Sequence, residues 1–128
     1  MKARVSLFRG NSRYESVIGS LEYVKDDIVK RVGGKEFIIV KPNFVSTVRQ
    51  LAATHVDAVR AVIDFVRRYT DARIVVAEGS AHDTFNGFRN FGYFRTLKKY
   101  DVEFLDLNTV DYEEFDIRVN GGSVALRV

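Results

Sequence analysis

The sequence predicts an α/β domain of three layers: a mostly parallel sheet with helices on both faces (Rossmann-like), followed by a C-terminal β-hairpin. Three observations predict it. Short unbroken apolar runs, Phe37-Ile38-Ile39-Val40 and Ile74-Val75-Val76-Ala77, alternate with segments of helical period. Each run stops abruptly in a polar loop. Near the end, Asn120-Gly121-Gly122 separates two alternating segments, which is a hairpin signal.

The elements follow in order. Ala3 to Phe8 alternates in character and reads as a first strand, broken by Gly10 and Asn11. Ser12 with Glu15 makes a capping box, and Val17, Ile18, Leu21, Val24, Ile28 and Val32 then mark one helix ending at Gly33-Gly34. Glu36 to Val40 is the second strand. Lys41-Pro42-Asn43 opens a polar loop that reaches Thr54, and Thr54 with Asp57 is a second capping box. Val56, Val59, Val62, Ile63, Val66 and Tyr69 mark the next helix, and Arg73 to Ala77 the third strand. Thr84 to Tyr100 reads as one or two short helices interrupted near Gly92, and Val102 to Leu107 as the fourth strand. Phe115 to Val119 and Ser123 to Val128 form the hairpin. No repeat, linker or low-complexity segment divides residues 1–128, so they read as a single domain.

Composition narrows the chemistry. The chain has 128 residues, 46% hydrophobic and 29% charged, which suits one globular domain with its own core. It has no cysteine, which excludes a disulfide framework, a thiolate nucleophile and a cysteine-held iron–sulfur cluster in this chain. No apolar run is long enough for a membrane helix, and the start lacks a signal-peptide core, so the expected location is cytoplasmic. The net charge of +3 comes from basic pairs scattered along the chain, as on solvated helix faces. Neither dinucleotide nor P-loop glycine spacing occurs, and no G-x-S-x-G elbow is present.

The loops after the strands carry the chemistry-bearing residues, and in an open parallel sheet such loops share one edge. The first offers Lys41, Asn43, Ser46 and Thr54 for an anionic group. The second places Glu78, Gly79, Ser80, His82 and Asp83 within six residues. There Glu78, His82 and Asp83 are candidates for general acid–base work, and His82 and Asp83 for a metal. The competing reading makes Asp83 or Thr84 a helix cap and leaves His82 exposed. Asp106 and Asn108 leave the fourth strand towards the same edge. His55, at a helix start, is a further candidate, and Thr54 or Thr84 marks a helix start where a phosphate could sit. Phe85, Phe88, Phe91, Tyr93 and Phe94, interleaved with Arg89 and Arg95, read as helix core, as a partner surface, or as a stacking platform for bases.

Lys41-Pro42-Asn43-Phe44-Val45-Ser46, Val76-Ala77-Glu78-Gly79-Ser80, Phe91-Gly92-Tyr93 and Val102 to Asn108, in that order, resemble the domain-of-unknown-function family 362. The likeness runs from the first strand to about Asn108. It implies an α/β fold but no settled activity. It also implies a ferredoxin-like iron–sulfur segment in many members and a second half with a Lys-Thr-His motif. This chain has neither, so the resemblance makes it a fragment or a reduced form of a longer member.

The sequence therefore predicts a site at the carboxyl edge of the sheet for a small anionic molecule or a metal, with cofactor and reaction left open. The alternatives are a non-catalytic module, working as a homo-oligomer or with a missing second half, and a single-stranded nucleic-acid binder. Nucleic acid is disfavoured and a membrane is not expected.

Overall fold

The structure, a computed structural model, describes residues 3–119 and 122–127. Its elements are α1 (Arg13–Tyr23), α2 (Lys25–Val32), β1 (Phe37–Val40), α3 (Val56–Val66), β2 (Arg73–Glu78), α4 (Thr84–Asn90), α5 (Tyr93–Thr96), β3 (Val102–Asp106), β4 (Glu114–Val119) and β5 (Gly122–Arg127). Short 3-10 turns at Gln50–Ala52 and Leu107–Thr109 complete it. The strands β1, β2 and β3 form a parallel sheet in that order, and β4 and β5 form a separate antiparallel hairpin. The α/β class, the parallel sheet and the terminal hairpin therefore stand. Residues Asn120 and Gly121 of the expected turn lie outside the described residues.

Three local expectations are corrected. Residues 3–8 are not a strand of the sheet. Their two-residue period is that of an extended chain lying against helices. Arg4 pairs with Asp27, the Ser6 hydroxyl donates to Ser20 O at 2.6 Å, and the Phe8 ring packs over Gly19 and towards Tyr23. The intervening Val5 and Leu7 are 91% and 93% exposed. The first helix is two helices, parted at Val24, whose φ of −114° and ψ of 17° leave the helical region. The restart at Lys25 is favoured by Asp26 and Asp27 in the first turn of α2 and by Lys30 and Arg31 in its last, each complementing the local dipole. Third, Thr54 does not cap α3. His55 does, its side chain accepting from the Asp57 N–H. The cap at Ser12 forms as expected, with its hydroxyl accepting from Glu15 N–H at 3.1 Å.

The two faces of the sheet differ, and the described helices gather on one of them, where the sequence led to the expectation of helices on both. Consecutive right-handed crossovers stepping the same way lay their helices on one face. On that face Ile38, Val40, Ile74, Val76 and Phe104 meet Val56, Val59, Ile63 and Val66 of α3, then Phe88, Phe91, Tyr93 and Leu97. Ile18, Leu21 and Ile28 of the first two helices pack against this core from outside. The second face keeps Val75 and Ala77 buried in the middle strand, while Phe37 and Ile39 on β1 remain 52% and 50% exposed. Arg73 reaches Glu103 of the neighbouring strand there at 3.3 Å. Phe115, Ile117 and Val124 of the hairpin are exposed as well.

Candidate functional site

Register decides what meets at the carboxyl edge. Val40 lies beside Val76, and Glu78 beside Asp106, so the residues that end three neighbouring strands emerge side by side. Lys41 is the first residue past β1, and its Nζ donates to Glu78 Oε2 at 2.5 Å. The other carboxylate oxygen accepts from the Phe44 backbone N–H at 3.0 Å. The Glu78 side chain is only 4% exposed, against 53% for Lys41. A buried carboxylate needs both partners, since desolvation without them is costly. The Lys41 side chain, by contrast, is half-exposed, and its ammonium also donates to Pro42 O at 3.3 Å.

The loop after β1 folds back on itself as a tongue. Asn43 N–H donates to Thr54 Oγ1, and Thr54 N–H returns a bond to Asn43 O, both at 2.9 Å. Phe44 bridges Ala53, and Val45 N–H reaches Ala52 O at 3.1 Å. Ser46 turns the tip, its Oγ accepting from the N–H groups of Val48 and Arg49. The tongue is anchored by the Phe44 ring, which makes edge contacts with Phe88, Phe91 and Tyr93 at 5.2, 5.2 and 5.3 Å.

The loops after β2 and β3 are joined through Thr84, which is fully buried. Its Oγ1 accepts from Ser80 N–H at 3.1 Å and donates to Asp106 Oδ1 at 3.0 Å. The Asn108 amide donates to Ser80 O at 2.9 Å, and Asn108 N–H to Asp106 Oδ1 at the same distance. The Ser80 hydroxyl donates to Phe44 O at 3.1 Å, which ties this cluster to the tongue. Gly79 packs beside Leu107 and Asn108, where a Cβ would make ordinary van der Waals contact at 3.4 Å with each.

The expected residues thus divide into groups. Lys41, Glu78, Ser80, Asp106 and Asn108 come together, and Asn43, Ser46 and Thr54 shape the tongue beside them. Thr84 turns its hydroxyl to Ser80 and Asp106 instead of leaving it for a phosphate. Asp83 caps α4, with Oδ1 accepting from Asn86 N–H at 2.9 Å. His82 is exposed, and among the described residues its imidazole makes no hydrogen bond. No group of three or more His, Asp or Glu that could hold a metal ion is found among the described residues. The rings that invited base stacking are mostly core: Phe88, Phe91 and Tyr93 are buried.

Two residues of the site take roles that the sequence did not suggest. Phe44 is the hub that joins tongue, Glu78 and aromatic core. Tyr93 donates its hydroxyl to Thr54 O at 2.8 Å, and burial, reinforced by the Glu78 charge, holds its phenol above the usual tyrosine range. The signal for both was the surplus of rings around Phe91-Gly92-Tyr93, which marked a core but not what it supports.

The family described as Domain of unknown function (DUF362) matches residues 38–127. The match opens in β1 and continues past Asn108 through the hairpin. It leaves out the first segment, which does not join the sheet. Comparison with curated proteins gives no match, and comparison with solved structures gives none.

Proposed function

The chain belongs to the DUF362 family, and from that premise and the strand-end geometry we propose that it binds a small anionic molecule at the carboxyl edge of its sheet, anchored by Lys41. One observation carries this reading: a half-exposed lysine side chain whose ammonium is pinned at 2.5 Å to a buried carboxylate, at the edge where open α/β sheets take ligands. Glu78 fixes Lys41 in place, so little side-chain entropy remains to be lost on binding. Asn43, exposed beside it, supplies an amide that both donates and accepts. Ser80, Thr84, Asp106 and Asn108 satisfy one another and keep the loops in register.

Proton transfer by Glu78 or His82, and a metal at His82 and Asp83, extend this proposal. They draw support from loop composition alone, whereas anion binding also has the geometry of Lys41. A ligand that binds only the folded chain stabilises it by about 2.7 kcal/mol at a hundredfold excess over Kd. Thermal unfolding with phosphate, citrate and small phosphorylated metabolites is expected to show a saturable rise in Tm for at least one of them. Lys41→Met should abolish the rise, and Lys41→Arg should retain part of it. An undiminished rise in Lys41→Met would dispose of the proposal.

A further inference from the structure

A separate feature adjoins the Asn43–Thr54 pairing. A surface cleft of about 480 Å³ opens where the first turn of α1, the 3-10 turn of the tongue and the start of α3 meet. Arg13, Ser16, Gln50 and His55 are its polar lining residues, interspersed with Val17, Leu51, Ala53 and Ala58, of which Leu51 is fully exposed. That volume falls in the range of small-molecule sites, and a few polar groups on an apolar lining is their usual composition.

The polar lining is specific in its chemistry. His55 Nδ1 is committed to the cap, accepting from the Asp57 N–H at 3.1 Å. In the neutral ring the proton therefore sits on Nε2, and the nitrogen left for a ligand is a donor. The Arg13 guanidinium is exposed and makes no ion pair or hydrogen bond among the described residues. Gln50 spends one amide hydrogen on a long bond of 3.4 Å to Ala53 O, which leaves its second N–H. A planar cation, an imidazole N–H and an amide N–H lining one cleft match the oxygens of a carboxylate or phosphate. The apolar lining residues match a short hydrocarbon body.

We infer that this cleft is a binding site for a small organic anion, a carboxylate or phosphate with a short apolar body, recognised by Arg13 and His55. The site does not use Lys41, so it is separable from the edge proposed above. Proton–nitrogen NMR titration of the whole chain with hexanoate, hexyl phosphate, inorganic phosphate and hexylamine tests it. Saturable shifts at Arg13, Gln50 and the His55 ring are expected with hexanoate or hexyl phosphate. Inorganic phosphate should bind at least tenfold more weakly, and hexylamine should not bind. Arg13→Gln and His55→Asn should each weaken the organic anion tenfold or more. Asparagine can still accept at the helix cap, so the second variant keeps the fold. The inference fails if neither organic anion shifts the cleft or if both cleft variants bind like the wild type.

Discussion

At the scale of single residues the chain uses its buried polar groups as fasteners. Glu78 is the clearest case, with one carboxylate oxygen on Lys41 and the other on the Phe44 backbone. Its value lies in what it holds in place, because a buried ion pair contributes little net stability against an apolar pair of the same shape. Asp64 does similar work elsewhere. Its Oδ2 accepts from the Tyr14 and Tyr100 hydroxyls at 2.8 and 3.0 Å, linking α1, α3 and the approach to β3. Burial first, and the bond to Asp64 second, push the Tyr100 phenol up to about 12 from an ordinary 10.0, and Tyr14 is raised by the same causes. The folded chain therefore holds these protons where the unfolded chain has lost them. The sign follows from linkage: this contribution is complete below pH 10 and is lost as pH rises towards 12. Tyr100→Phe should flatten the fall in stability across that window. Denaturant unfolding at pH 9, 10 and 11 checks it, and an unchanged slope would contradict the assignment.

At the scale of elements, caps decide where helices begin, and a composition-based reading finds the residue type more readily than the position. Ser12 was legible because Ser-x-x-Glu precedes an apolar series. Thr54 and Asp57 have the same form, yet His55 takes the cap because Thr54 is already paired with Asn43 across the tongue. The competition was between a local bond and a tertiary one, and only the second contact could reveal it. Asp83 shows the reverse: the bland reading of a capping carboxylate is the observed one. Asp83→Ala should cost about 1 kcal/mol, the usual worth of such a cap. For a chain of this size that corresponds to a Tm loss of roughly 4 °C. Asp83→Asn should restore most of it. Recovery of stability by asparagine without any loss of ligand binding would mark Asp83 as structural, whereas loss of binding in both variants would return it to the site.

At the scale of the whole molecule the sheet is the organising element, and it is unevenly covered. The middle strand β2 is buried along most of its length, while β1 shows Phe37 and Ile39 on its second face and the hairpin is exposed on both strands among the described side chains. Opening free energies follow burial and contact density. Amides of β2 should exchange slowest, near the global unfolding limit, and those of β4 and β5 fastest among the strands. Hydrogen exchange followed by mass spectrometry or NMR measures this directly. Hairpin amides as slow as those of β2 would show that its apolar residues are covered in solution.

The sequence by itself determined the alternation of elements, the parallel sheet, the terminal hairpin and the edge at which Lys41, Glu78 and Asp106 emerge. Those features rest on hydrophobic period and on chain direction, which are local properties that every parallel strand repeats. Tertiary structure alone decided that residues 3–8 lie on helices and not in the sheet. An extended chain has the same two-residue period whatever it lies against. It also decided that Thr84 and Phe44 are the hubs, that His55 caps α3 and that Arg13 faces a cleft with it. These outcomes depend on which of several competing partners comes within hydrogen-bond reach, and that distance is set by packing between segments far apart in the chain.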